Sequence, residues 1–213
     1  MKKWNDLTWI FVLVSLSPVL FTGCSDDDTS PSGEDVTVSL TTKNNVKVDT
    51  WVYFSFEKAC EVEGIDSSNF QTSTDWDIAF HSRHVRLNGG ASGPGLAEAV
   101  DLGQVSWETV TVAPDTGYVK DRWVDSILFA GVGEEGPIMI GTWLNPAFET
   151  AFTVDLNTYP PTYMANRNVY VVRTASGRYV KLMITDYYND KGESGYITFR
   201  FRMAPEGSKE FGL

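Results

Sequence analysis

The chain is poor in the residues that most often carry chemistry. Its 213 residues include two cysteines, Cys24 and Cys60, and two histidines, His81 and His84. No third His or Cys stands near the histidines to complete a metal site. If one strand carries both, they point to opposite faces and share no ion. Basic residues are also scarce, 17 Lys and Arg against 28 Asp and Glu, for a net charge of −11. That balance argues against nucleic acid, whose binding rests on neutralising phosphates, and against adsorption onto anionic lipid heads. Helical periodicity is missing over any window of about a dozen residues, and no internal repeat is visible. The one long apolar run, Leu7 to Phe21, is too short to span a bilayer.

That run has the form of a secretory signal, residues 1–23. Lys2 and Lys3 precede it, and Thr22-Gly23-Cys24 closes it. A cysteine directly after a small residue at the cleavage point resembles a bacterial lipobox. It implies a diacylglyceryl thioether and an acylated amine on Cys24, enough for stable anchoring. A thioether there leaves Cys60 without a partner, a small buried hydrophobe, and the fold without a staple. Residues 24–35 read as the lipidated cysteine and a flexible acidic tether, SDDDTSPSGED after Cys24, with almost nothing apolar to bury. Ser25-Asp26-Asp27-Asp28 resembles an export tag for the outer face of an outer membrane. The chain from Cys24 onward keeps 15 basic and 27 acidic residues, a net charge of −12. A cationic or uncharged partner suits it better than an anionic one.

From Val36 the pattern is strand after strand, rich in Val, Ile, Thr, Tyr, Phe and Trp between turn residues. The expected strands are 36–40, 50–56, 76–80, 105–112, 127–130, 138–143, 152–156, 169–173, 179–184 and 196–203. Ala175 to Arg178 and Asn189 to Ser194 read as hairpin turns. Residues 95–102 read as one short turn. The class is all-β: a single domain of packed, mostly antiparallel sheets, residues 36–213.

Two catalytic look-alikes fail on context. Gly131-Val132-Gly133-Glu134-Glu135-Gly136 spells a dinucleotide motif, yet Pro137 and another strand follow where a helix N-terminus is required. Gly90-Ala91-Ser92-Gly93 approaches a nucleophile elbow, but Pro94 stands where the second glycine belongs. Neither makes a catalytic constellation, and no enzymatic activity is expected. The 12 Phe, 9 Tyr, 7 Trp and 5 Met favour ligand binding instead.

The stretch around which the chain is organised is Asp75 to Ala99, DWDIAFHSRHVRLNGGASGPGLAEA. Trp76, Ile78 and Phe80 would share one strand face, followed by a loop with Gly89, Gly90, Gly93, Pro94 and Gly95. The order W-D-I-A-F-H, V-R-L-N-G-G and S-G resembles the signature segment of the HmuY-like haem-binding lipoproteins. Thr50-Trp51, Tyr53 to Phe56, Pro161-Thr162-Tyr163 and the run from Val169 to Phe199 extend the likeness. The resemblance implies an all-β domain whose protruding hairpins grip haem through paired His or paired Met. It also implies capture at the cell surface and delivery to an outer-membrane receptor for iron acquisition.

The family's ligand hairpins correspond to about Gly131–Trp143 and Phe152–Pro161, neither of which contains histidine. The resemblance therefore implies Met139 and Tyr159 as haem-iron ligands, with Met164 as a further haem-binding residue. The competing expectation is an interaction module: the same scaffold without haem ligation, presenting its hairpins to a protein or glycan.

Overall fold

The computed structural model describes residues 31–42 and 50–212. The expected signal segment and the Cys24 anchor lie outside these residues. Thirteen strands run in chain order: β1 (Asp35–Thr41), β2 (Val52–Ser55), β3 (Cys60–Glu61), β4 (Ile78–His81), β5 (His84–Leu87), β6 (Glu98–Asp101), β7 (Arg122–Gly133), β8 (Gly136–Leu144), β9 (Phe152–Asp155), β10 (Thr162–Ala165), β11 (Val169–Arg173), β12 (Tyr179–Tyr188) and β13 (Ser194–Met203). Every pairing between them is antiparallel. A five-stranded sheet has the order β1-β13-β12-β11-β6, and a four-stranded sheet the order β3-β2-β4-β5. The hairpins β7–β8 and β9–β10 form two further two-stranded sheets.

Alternation explains how the sheets meet. Ile197, Phe199, Phe201 and Met203 on β13, with Val180, Leu182 and Ile184 on β12, face one way. Phe54, Ile78, Phe80 and Leu87 of the smaller sheet close against them. Phe54 is the hinge pin: its ring meets Phe56, Phe199 and Phe201 edge-on at 5.3–5.9 Å. The smaller sheet is also buried on its outer face, so β2, β4 and β5 are buried at every residue, whereas β1 and β13 of the larger sheet alternate. Trp51, Tyr53, Trp76 and Ala79 form a second cluster with Leu128 and Leu144, at the root of β7–β8. Trp76 therefore lies across the sheet from Ile78 and Phe80, not beside them.

On the far side of the larger sheet, Val169, Val171 and Met183 pack under Trp107, Ala113 and Phe211. Trp107 belongs to a single 3-10 turn, Trp107–Thr109, which replaces the strand expected over 105–112. Ser106 accounts for it: its carbonyl accepts from the Thr109 N–H (3.1 Å) and hydroxyl (2.7 Å), closing the turn. Lys181 then holds the turn in place. Its buried Nζ donates to the Trp107 and Val110 carbonyls at 2.9 Å each and sits 4.3 Å from the indole centroid. Residues 95–102 form no helical turn but strand β6, paired with β11.

Two more expectations change. Residues 31–35, taken as the end of the tether, lie against the domain. Ser32 bridges Met203, the Gly33 N–H donates to the Met203 carbonyl (2.9 Å), and Asp35 pairs with Arg202 at 2.7 Å. Cys60 is buried and disulfide-bonded rather than without a partner.

The signature segment is a structural keystone. Asp77 is buried, and each carboxylate oxygen accepts one N–H at 2.9 Å, from Phe56 and from Ala175. One side chain thus ties the end of β2 to the β11–β12 turn. Asn88 is fully buried, with Nδ2 donating to the carbonyls of Ser73 (2.9 Å) and Trp76 (2.7 Å) and Oδ1 accepting from Gly95 (3.2 Å). The glycines follow from this crowding: a Cβ at Gly93 would lie 1.9 Å from Asn88 Oδ1, and one at Gly89 2.1 Å from the Ala97 carbonyl oxygen.

Candidate ligand-binding hairpins

Hairpin β7–β8 is rooted on one face only. Leu128, Val124 and Ile140 pack on Trp51, Tyr53 and Trp76. Thr142 accepts from Arg86 Nη2 at 2.9 Å, and the Arg86 guanidinium lies 3.5 Å from the Trp51 centroid. Asn145 finishes the root, its N–H donating to the Val85 carbonyl and its Nδ2 to the Val119 carbonyl and Asp121 Oδ1, all at 3.0 Å. The opposite face is bare. Phe129 and Met139 are direct cross-strand partners, 57% and 41% exposed. Trp123, 49% exposed, pairs with Trp143 and lies over Gly141, where a Cβ would meet its ring at 2.5 Å. Directly paired residues, and alternate residues along β8, share a face. One side of the hairpin therefore presents Phe129, Met139, Trp123 and Trp143 in a continuous apolar strip. Its tip is the turn Glu134-Glu135, so the glycine motif is a hairpin end, with β8 following directly.

Hairpin β9–β10 is seated by aromatic rings. Phe152 and Tyr163 pack on Tyr187 at 5.7 and 4.9 Å, and the Tyr163 N–H donates to the Tyr188 hydroxyl at 2.9 Å. Met164 faces outward, 65% exposed, at the edge of a cavity of about 470 Å³ shared with Gln104, Arg167, Thr185 and Asp186. Tyr159 stands 100% exposed in the turn between the strands, before a cis Pro160. Neither Met139 nor Tyr159 lines the Met164 cavity. Met139 and Tyr159 thus belong to separate hairpins, and of the three it is Met164 that lines this cavity.

The histidines are not where a continuous strand would put them. Ser82-Arg83 forms a two-residue turn, with Ser82 at φ +53°, and His81 and His84 face each other across β4–β5. Both are buried. Burial, with Arg83 and His81 nearby, pushes His84 down to about 3, so it stays neutral. The turn also supports the ligand hairpins, since Ser82 Oγ and Tyr187 OH are 2.7 Å apart. Sequence reasoning missed this turn because Ser-Arg carries no turn signature; the paired apolar residues of IAFH and HVRL around it, Ile78 with Leu87 and Phe80 with Val85, were the available signal. Ser92 is fully buried close to Asp121, the reverse of an exposed nucleophile. Among the described residues no group of three or more His, Cys, Asp or Glu is arranged to hold a metal ion.

These features define a class: an antiparallel β scaffold that projects two hairpins with exposed aromatic and thioether side chains, suited to holding a ligand. The profile of the HmuY protein family matches residues 47–201. The chain belongs to the HmuY family. Its fold is similar to a candidate HmuY-like haem-binding protein from Bacteroides vulgatus, with 22% identity, 82% of this chain and 94% of that one covered, and a TM-score of 0.62. An apo HmuY analogue from Tannerella forsythia shares 20% identity over 85% of this chain and all of its own, with a TM-score of 0.61. A candidate lipoprotein from Bacteroides fragilis shares 21% identity over 78% and 88%, with a TM-score of 0.60. No curated protein matches the chain.

Proposed function

We propose that the protein binds haem between its two projecting hairpins and passes it to an outer-membrane uptake receptor. The observation that carries this reading is the bare β7–β8 face, where a thioether stands among three aromatic rings. A flat, largely apolar macrocycle needs such a face plus one or two axial donors. Met139 supplies one donor. For the second, Met164 fits better than Tyr159, because it borders a cavity and the phenol stands clear of any surface. Arg167 and Gln104 in that cavity suit the propionate edge of the ligand. When bound, haem supplies the iron and the colour; the chain supplies soft donors and a dry face. The function is binding, not catalysis.

The anchor reading places the protein on the outer membrane, facing the exterior, through acyl chains on Cys24. The sequence offers Cys60 one other cysteine, Cys24, so a thioether and the disulfide exclude each other within one chain. Labelled palmitate should enter the wild-type protein and be lost in Cys24→Ser.

The exposure of Tyr159 and Leu156 at one hairpin tip supports a second reading, an interaction module that binds a protein or glycan without haem. A haemin titration of residues 24–213 separates the two. A saturable Soret shift supports haem binding; its absence in both redox states leaves the interaction module.

A further inference from the structure

A second cavity, of about 670 Å³, opens at the other end of the larger sheet. Its walls are the β11–β12 turn, the turn after β13 and Glu57. Tyr179 lines it, whereas Thr185 and Asp186 line the cavity at Met164. Seven residues of one strand separate the two, on the order of 20 Å, so this is a distinct site.

Its chemistry is charged and mixed. Arg173, Arg178 and Lys209 face Glu57 and Glu206, one positive charge in excess within a chain of net charge −11. The polar groups are held in place before any ligand arrives. Glu57 accepts from Ser176 (3.1 Å) and pairs with Arg178 (3.6 Å). Arg178 donates to Ser32 Oγ (2.5 Å) and the Ala204 carbonyl (3.0 Å). Lys209 pairs with Asp115 at 2.7 Å. Arg173 is held more loosely: its ion pair, Nη1 to Glu98, is long at 3.4 Å, and its side chain is 36% exposed. The exposed part of this side chain leaves its guanidinium open to an anion that enters the cavity. Gly177 stands beside that guanidinium; a Cβ there would lie 3.7 Å from Arg173 Nε.

Interleaved carboxylates and guanidinium groups suit vicinal hydroxyls, which donate to the former and accept from the latter. The surplus positive charge suits one anion. We propose that this cavity binds a sugar carrying a single anionic group, carboxylate or phosphate, with the anion on Arg173 and the hydroxyls toward Glu57 and Glu206. The volume falls within the ordinary range for small-ligand sites. Ser32, bonded to Arg178 at the rim, follows Cys24 by eight residues, at most about 28 Å of chain. If Cys24 is acylated, this end lies toward the membrane, and the sugar can be free or the headgroup of a glycolipid.

The test is an amide NMR titration of residues 24–213 with glucuronic acid, glucose and inorganic phosphate separately. Glucuronic acid should shift Gly177 and Ser208 saturably, with glucose and phosphate each weaker by about tenfold or more. Arg173→Gln should cost glucuronic acid about tenfold; should that variant not fold, the exposed Glu206→Gln should still weaken binding. Phosphate binding as tightly as glucuronic acid would reduce the cavity to an anion site and overturn the proposal. Equal binding of glucose would overturn it too, as would the absence of shifts with every probe. Vesicles bearing an anionic glycolipid, compared with plain phosphatidylcholine vesicles, identify the source. Capture by the former, lost in Arg173→Gln, assigns the headgroup; glucuronic acid binding without capture assigns a free sugar.

Discussion

Asn88→Asp is the sharpest test of the claim that the family signature builds structure rather than the site. The substitution keeps shape and volume, yet turns the amide that donates to the Ser73 and Trp76 carbonyls into an acceptor. Two buried hydrogen bonds become oxygen–oxygen contacts, each costing about 1–3 kcal/mol, in a residue with no solvent exposure. A loss of about 4 kcal/mol follows, a large part of the roughly 5–15 kcal/mol typical of a domain. For a chain of this size each kcal/mol lowers the melting temperature by about 2–4 °C, so a fall of about 8–16 °C is expected at pH 7. The new carboxyl has a raised pKa in the folded state. Its protonated form is favoured there, so the deficit shrinks as pH falls and grows as pH rises through that pKa. Thermal unfolding by circular dichroism at pH 7 and pH 4.5 reads both effects. A variant within about 1 kcal/mol of wild type at pH 7, or a deficit equal at both pH values, would refute the reasoning.

Three further outcomes are expected. His84, held down at about 3 by burial, contributes stability that is complete above its unfolded value of 6.5 and is lost as pH falls toward 3. Asp77 and Asp121, pushed up to about 6 by burial, contribute stability that is complete below 3.8 and lost as pH rises through 6, which masks His84 in the whole protein. The stability of His84→Gln relative to wild type should therefore improve by about 1 kcal/mol per pH unit from pH 6 to pH 4; urea titrations giving a constant difference would contradict this. Lys181→Met should cost about 2–4 kcal/mol by leaving the Trp107 and Val110 carbonyls without their donor, and an unchanged denaturant midpoint would show that the turn does not need it. Trp123→Leu should weaken haemin binding by about tenfold by removing an exposed ring from the β7–β8 face; an unchanged dissociation constant in a haemin titration would place the ligand away from that face.

Much of the fold was legible because apolar residues alternate wherever one sheet face meets the core. β11 runs over the residues expected, and β12 and β13 contain theirs with both connecting turns in place. Legibility failed where local pattern and tertiary role part. Val105 to Val112 alternates like a strand, yet Ser106 closes a 3-10 turn and Lys181 anchors it from a strand 71 residues beyond Val110. Trp76 alternates with Ile78, but a sheet buried on both faces gives alternation no preferred side. The Ser82-Arg83 turn rests on a positive φ that Ser rarely adopts, so the histidine pair was invisible. At the hairpins, residue type pointed to Met139, Tyr159 and Met164. Which of them borders a cavity depends on the seating of β9–β10 on Tyr187 and Tyr188, contacts remote in sequence.

The most direct test of the central claim is a haemin titration, followed by absorbance in the ferric and dithionite-reduced states. It compares wild type, Met139→Ala, Met164→Ala and Tyr159→Phe. The account predicts a saturable Soret band for wild type and Tyr159→Phe, weakened or shifted in each methionine variant and lost in their combination. Spectra unchanged by the double methionine substitution, or no saturable band in any variant, would contradict it.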